Sequence, residues 1–434
     1  MLTGLLSLPQ IGRRLARIDR HLLHILKMRI GTGSLSEAVA ENKQTQILRA
    51  QGADVSRFPK LTRKGVEEER IAMAATLAER QGIDPNVAAL LQTALILESC
   101  RVQSDFFSNH SADVVADISD PEKRWQFHRE QLLALTEQVA PGYDSQYENA
   151  FLATRTARRF ERTVLAGLIE QTTNRDLAVD LGCATGRQTF RLAESFKQVI
   201  GYDISPAMLA QAQANQATAN GKGERCEFIS HDLENPLPLA DGLVSLVAMN
   251  NGTAADIRNI DGLLSEIHRV LRPGGKFLLS FYNAESLLAQ LGFLPWQPML
   301  AAMVDPEKNC LDVAFGNQVF LIYARPYRVS EVEQLLASHQ LKVGEVLTHP
   351  TVCAVLPGDV LEEYTFDGFE PEQATVTELV DGKAEQRPRR DHRAKLNLVR
   401  NEAAEETLAT LDEHLARQQL HLGAYIIVTG SKKS

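Results

Sequence analysis

LAVDLGCATG, from Leu177 to Gly186, decides the fold. A run of apolar, strand-forming residues breaks into a Gly-x-Ala-x-Gly turn, which is how a parallel sheet prepares a tight approach to a nucleotide-like ligand. The turn needs small residues, because a Cβ at Gly182 or Gly186 is expected to hold the backbone away from the ligand. The helix that follows presents free N–H groups.

The pieces downstream come in a fixed order. QVIGYDISPAML (Gln198 to Leu209) reads as a buried strand ending at Asp203, a Ser205 N-cap and Pro206 in the first helical turn. Asp203 falls about 20 residues beyond the glycine turn, where an acid that grips ribose hydroxyls belongs. EFISHDLENPLPLADG gives a third strand with Asp232 beyond its carboxyl end. LVSLVAMNNG gives a fourth, tipped by Asn250 and Asn251. LLSEIHRVLRPGGKFLLSFYN gives an amphipathic helix, a Pro-Gly-Gly turn and a fifth strand. Alternating strands and helices predict a Rossmann-like, doubly wound α/β sheet whose ligands sit outside the carboxyl ends of the strands.

These segments resemble the ordered motifs of class I S-adenosylmethionine-dependent methyltransferases, over roughly residues 145 to 283, with GAYIIVTGSK returning as a terminal strand. The resemblance implies S-adenosylmethionine as cofactor. It places Asp203 and Ile204 at the ribose, Asp232 and Leu233 at the adenine, Asn250 beside the cofactor, and Asp180 toward its amino-acid end. Gly182, Ala184 and Gly186 supply the close backbone approach. Ala184 departs from the commonest pattern, which has glycine there; a methyl is small enough for binding to survive. An NAD-binding unit is the alternative, but the GxGxxG spacing is broken and the Pro-Gly-Gly turn has no role in it. Tyr282, His349 and His231 are the candidates for a base or orienting group on the substrate side.

The first hundred residues are of another kind. Leu15, Ile18, Leu22, Ile25 and Leu26 recur at helical spacing. A second helix runs from about Val66 to Gln81 and stops at Gly82; Asp84 and Pro85 start a third, from about Asn86 to Gln103. This predicts an all-α module over residues 1–105 that buries its faces by forming a homodimer. IDRHLLHILKMR, ENK and GIDPNVAALLQTALILESCRVQ make it resemble the all-helical chorismate mutase family. Carried over position by position, Arg29, Lys43, Glu67 (or Glu68), Ser99 and Gln103 match that family's ligand contacts. An early family arginine is missing here, where Gly12 precedes Arg13 and Arg14. GVEEE likewise lacks the arginine that precedes the family's glutamate. A dianion such as chorismate needs its carboxylates clamped by fixed cations, so the module is expected either to bind a chorismate-like acid or to serve only as a dimerisation scaffold.

Residues 106–144 then read as a linker followed by a helix, and 145–434 as the methyltransferase domain, with an insertion around 284–420. Within the insertion, the charged stretch FEPEQATVTELVDGKAEQRPRRDHRAKLNLV is expected to be an exposed excursion.

The 434 residues carry a formal net charge of −9, which argues against a nucleic-acid partner. The cluster Arg155, Arg158, Arg159 and Arg162 is expected to be a solvated helix face. Five cysteines without CxxC spacing predict a reduced, cytoplasmic setting and no metal. No apolar run reaches the ~18 residues of a membrane span, and the apolar start is too short for a secretory signal. The functional expectation is a methyltransferase acting on a small molecule, one derived from chorismate, prephenate or another carboxylic acid. Two alternatives stand beside it. One is a bifunctional enzyme that makes and consumes prephenate, in the manner of carboxy-S-adenosylmethionine synthase; the other is a ligand-sensing module.

Overall fold

The computed structural model describes residues 15–22, 24–25, 64–96, 99, 118–144, 152–218, 223–290, 302–305, 309–315, 318–356, 362–371, 375–380, 383–388 and 392–433. The chain divides into two compact units, Met1–His110 with Glu362–Arg400, and Ser111–Leu361 with Asn401–Ser434.

The second unit is built on a seven-stranded sheet. Strands β1 (Leu177–Leu181), β2 (Gln198–Asp203), β3 (Cys226–Ser230), β4 (Val244–Met249) and β5 (Leu271–Tyr282) pair in parallel in the order β3-β2-β1-β4-β5. Every residue of β1 and β4 is buried. That is what a central parallel strand with helices on both faces requires, and it explains why these two read as unbroken apolar runs. After β9 (Leu341–His349), strand β10 (Tyr425–Lys432) inserts between β5 and β9, antiparallel to both. Strand order therefore reverses between β1 and β4, and the crevice at their carboxyl ends is the ligand position of such sheets.

Side chains leave each strand alternately to the two faces. Ala178, Val199, Leu246 and Leu278 pack with Phe160, Leu165 and Leu168 of α2 (Leu152–Glu170) on one face. Val179, Leu181, Val247 and Leu279 pack on the other with Leu263, Leu264 and Ile267 of α5 (Ile260–Val270) and with Val332 and Leu336 of α6 (Val329–Ser338). The first face also holds Ala416 of α7 (Glu402–Arg417). The arginine-rich side of α2 pairs with this helix: Arg155 meets Glu405 at 2.7 Å, and Arg159 reaches Glu406 and, at 3.2 Å, Glu413. Two of the four arginines expected on a solvated face thus tie helix to helix.

A cap sits over the glycine turn. Helix α1 (Pro121–Val139) starts on Asp120, whose carboxylate accepts from the Glu122 and Lys123 amides. It packs on an antiparallel sheet of β6 (Ala302–Asp305), β7 (Cys310–Phe315) and β8 (Gln318–Tyr323). Leu135, Val139, Leu311, Phe320 and Ile322 form one apolar cluster with Met208, Ala184, Ala207 and Tyr282, so the cap's core rests on the loops beyond β1, β2 and β5. Helices α3 (Arg187–Leu192) and α4 (Pro206–Thr218) follow β1 and β2 as the sequence predicts.

In the first unit, the helix Lys64–Arg80 ends in a left-handed Gly82 (φ +68°), with Ile83 N–H reaching back to Ala78 O at 2.9 Å. A further helix covers 85–96 after Asp84, whose carboxylate accepts from Asn86 N–H. The all-α expectation concerned residues 1–105; the compact unit also takes in strands from the insertion. Strands Glu362–Pro371 and His392–Arg400 pair antiparallel, as do Thr375–Val380 and Lys383–Pro388, and they belong to this unit. Where it is described, the stretch expected to be an exposed excursion is strand, and Phe369, with Phe366 just before it, packs on Ala72 and Ala75. The signal was present as period-two alternation at Ala394, Leu396 and Leu398, masked by intervening charge. In the single chain Leu15, Ile18, Leu22 and Ile25 remain about half exposed, at 54, 60, 49 and 55%.

No helix among the described residues is long and apolar enough to cross a membrane. One buried contact closes the end of β9: Asp412 of α7, with no exposed surface, accepts from the Val352 and Cys353 amides at 2.6 and 2.8 Å. Asp412→Ala strands both donors and is expected to lower the unfolding free energy by about 2–4 kcal/mol, with Asp412→Asn costing less. Urea unfolding checks this; a loss below about 1 kcal/mol for the alanine variant would mean that other groups serve those amides.

Candidate functional site

Two loops at the carboxyl end of the sheet are joined by one carboxylate. The Ala184 amide, in the turn after β1, donates to Asp203 Oδ2 at 2.8 Å, and the Ser205 amide, in the turn after β2, donates to Oδ1 at 2.9 Å. Burial pushes the Asp203 carboxyl above its ordinary range, while the amides of Ser205, Ala184 and Ile204 hold it back. Gly182 and Cys183 add amides to Tyr202 O at 2.8 and 2.9 Å, so the first turn lies against the end of β2.

The turn is left-handed at three alternate positions: Gly182 (φ +72°), Ala184 (φ +46°) and Gly186 (φ +83°). Two of these are glycine for a reason the sequence did not give. A Cβ on Gly182 would lie 2.7 Å from Thr253 Cγ2, and one on Gly186 would lie 2.6 Å from Phe228 Cζ. The protein's own side chains, as well as any ligand, demand the missing methyl. Ala184 bears a Cβ in the same backbone region, where a non-glycine residue is strained.

The remaining sequence-predicted residues separate by environment. Asp180 is buried beneath the turn and accepts from Thr189 Oγ1 at 2.7 Å; burial pushes it up to about 7. Its carboxylate is thus committed to the base of α3 rather than open at the crevice. Leu233 packs in the core, leaving only its backbone toward the loop. Asp232 forms an ion pair with Arg129 of the cap at 2.9 Å and accepts from Glu234 N–H at 3.1 Å. Asn250, at the tip of β4, keeps a buried Oδ1 with no hydrogen-bond partner among the described residues. A buried acceptor left this way marks where a donor from a ligand or water belongs.

Of the base candidates, His349 is fully buried, stacked on Phe160 with ring centroids 4.2 Å apart, and burial lowers it to about 3. It stays neutral and too weakly basic for proton abstraction near pH 7. His231 lies edge-on to Tyr202, its Nε2 at 3.3 Å from Asn235 O. Tyr282 borders the loop after β4, where a Cβ on Gly252 would come within 2.9 Å of its ring. Ser99 lies in the first unit, and Glu67 falls within the helix Lys64–Arg80. Arg29, Lys43 and Gln103 lie outside the described residues.

Three groups escaped the sequence reading. Arg129 meets Asp232. Asp144, past the end of α1, accepts from Thr185 Oγ1 at 2.7 Å and from Asn215 Nδ2 at 3.1 Å, latching the cap to the turn. Glu161 of α2, 4% exposed, accepts from Asn251 N–H at 3.0 and 3.1 Å. Among the described residues no group of three or more His, Cys, Asp or Glu side chains could hold a metal.

Residues 178–275 match the family model described as a methyltransferase domain. The chain is 33% identical over 129 residues to an uncharacterised methyltransferase of Synechocystis, covering 29% of this chain and 53% of that protein. It is 29% identical over 193 residues to the demethylmenaquinone methyltransferase of Symbiobacterium thermophilum (43% and 71% covered). A third relative, a malonyl-[acyl-carrier protein] O-methyltransferase of Methylococcus capsulatus, is 30% identical over 181 residues (41% and 58% covered). The chain thus spans about half the length of the first curated relatives it matches. Among solved structures, an S-adenosylmethionine-dependent methyltransferase of Clostridium acetobutylicum is similar at 16% identity and a TM-score of 0.37, covering 50% of this chain and 91% of that one. The doubly wound sheet, its glycine turn, the family match and the curated relatives together establish that residues 178–275 form a class I methyltransferase domain whose cofactor is S-adenosylmethionine.

Proposed function

We propose that this protein transfers a methyl group from S-adenosylmethionine to a small organic molecule. The observation that carries the proposal is the convergence of the Gly182–Gly186 turn, Asp203 and Asn250 Oδ1, which has no partner among the described residues, at the point where strand order reverses. The cofactor, when bound, supplies an electrophilic methyl on a sulfonium, so the protein's task is chiefly to orient the acceptor and exclude water.

The residues present suit that cofactor. Asp203 retains lone pairs after accepting from Ala184 and Ser205, enough for ribose hydroxyls beside Ile204. Asp232, with the backbone of Leu233, suits the adenine edge, and Arg129 fixes the direction of its carboxylate. Asn250 Oδ1 offers an acceptor to a donor on the cofactor. Gly182, Ala184 and Gly186 bring backbone close, and Asp180 acts from beneath, anchoring α3 through Thr189.

In the cap, Trp125 lies edge-on to Tyr323 with centroids 5.4 Å apart, and Arg258, over Trp125 at 4.8 Å, pairs with Glu122 at 2.9 Å. The resemblance of residues 10–105 to chorismate mutase is what supports a carboxylic acid as the acceptor, with chorismate and prephenate as first candidates. The exposed stripe of Leu15, Ile18, Leu22 and Ile25 supports self-association as a homodimer.

Two outcomes are expected. In calorimetric titration, wild type binds S-adenosylmethionine, and Asp203→Ala weakens binding by at least about 100-fold, the scale of losing charge-assisted hydrogen bonds and leaving two amides unpaired. Absence of binding heat in the wild type would refute the proposal, and transfer of labelled methyl to a panel of small acids would identify the acceptor. Separately, Ala184→Gly relieves about 1 kcal/mol of left-handed strain against a similar gain in chain entropy. Melting temperature is therefore expected to hold within a few degrees, with cofactor affinity equal to or better than that of wild type; a drop in affinity would show that the Ala184 methyl makes a contact of its own.

A further inference from the structure

Above the sheet, α2 and the loop after β4 meet through a closed set of hydrogen bonds. The Asn251 amide donates to both oxygens of Glu161, at 3.0 and 3.1 Å. The next amide, Gly252, donates to Ser280 Oγ of β5 at 2.9 Å, and the Ser280 hydroxyl is left to donate to Glu161. Asn251 and Gly252 are both left-handed (φ +56° and +77°), a conformation that an Asn-Gly pair adopts readily and that these hydrogen bonds fix in place. Asn250, whose buried Oδ1 lacks a partner among the described residues, immediately precedes them, and its carbonyl accepts from Thr253 N–H and Oγ1 at 3.1 and 2.7 Å.

We propose that Glu161 is a positioning residue: its carboxylate, acting through the Asn251 amide and the Ser280 hydroxyl, sets the loop 250–253 so that Asn250 faces the cofactor. The inference rests on the methyltransferase reading above.

Burial raises Glu161 to about 7, opposed by Ser280, by the Asn251 amide and by the charge of Arg158. As a carboxylate it accepts from both donors. As a neutral acid it loses one strong acceptor oxygen to its own proton, and hydrogen bonds to a neutral group are roughly half as strong. The loop is therefore set most firmly above about pH 7 and slackens below it.

Other charged groups around this point do not share the role. Arg158 of the same helix lies over the Tyr143 ring and reaches its hydroxyl at 3.4 Å. From β9, His349 stacks on Phe160 and is neutral. From α7, Glu405, Glu406 and Glu413 pair with Arg155 and Arg159, and Asp412 holds the Val352 and Cys353 amides. Tyr425 of β10 and Tyr282 of β5 flank Gly252 with their rings. Asp180 of β1, also raised to about 7, is tied to Thr189 and is the competing source of any pH effect.

Stability moves the opposite way from function. A carboxyl raised in the folded state contributes stability that is present below its unfolded value of ~4.3 and is lost as pH rises through about 7. An uncharged amide would suit this buried position better if the role were only to hold the fold.

The test compares wild type with Glu161→Gln at pH 6 and pH 8, by direct titration with S-adenosylmethionine. Taking the ratio of variant to wild type at each pH cancels the ligand's own titration. The expected result is about tenfold weaker binding for the variant at pH 8, narrowing to within about twofold at pH 6. Melting curves accompany it: Glu161→Gln should melt relatively higher at pH 8 than at pH 6, which also establishes that the variant is folded. If the ratio is unchanged between the two pH values, the pH effect belongs to Asp180 or elsewhere and the inference is overturned while the methyltransferase reading stands. If wild type binds no cofactor at either pH, both are overturned.

Discussion

The carboxyl edge of the sheet depends on the Asp203 carboxylate and the two amides it accepts. A buried acid requires donors, and a buried amide requires an acceptor; in isolation each would cost several kcal/mol. Ala184 and Ser205 come from loops that follow different strands, so meeting both needs at once fixes the turn after β1 against the turn after β2. The left-handed geometry of Ala184 is the local expense of that arrangement. The latch from Asp144 to Thr185, the cap's apolar contact with Ala184 and the strand order itself all assume that this turn is already in place.

Much of this was legible because it is local. Apolar runs predicted β1, β2 and β4, Asp203 stood at its expected interval, and Asp84 and Gly82 marked helix ends in the first unit as expected. Residues that act across the chain left no such trace. Glu161 lies 90 positions from Asn251, and on a helix rich in arginine it reads as one more solvated charge. Arg129 belongs to α1, and Asp144 follows it, a helix whose partner strands, β6 to β8, come far later in the order of elements. In the first unit, charge concealed strands that alternate correctly at Ala394, Leu396 and Leu398. Local pattern encodes elements, whereas long-range hydrogen bonds are set only once the elements have packed.

Buried ionisable groups are concentrated around the crevice. Asp180 and Glu161 are each raised to about 7 by burial, Asp203 is raised, and His349 is lowered to about 3. A fold selected for stability alone would replace such groups with amides or apolar side chains. Asp180 and Asp203 fall within the residues that match a methyltransferase domain and Glu161 on the helix before them, in line with the general rule that perturbed groups gather at working sites.

The antiparallel strand β10 has a consequence for the order of assembly. It supplies the ladder between β5 and β9, so those two strands have no hydrogen-bonded neighbour in common until Tyr425–Lys432 arrives. During synthesis, the five parallel strands can pair as they emerge, but β9 must wait as an unpaired edge through the whole of the Glu362–Arg400 segment, which joins the other unit. Sequence-distant pairing of this kind is slow and leaves sticky strand edges uncovered. Until β10 joins them, the nascent chain therefore carries two uncovered strand edges, those of β5 and β9, each a template for pairing with another chain.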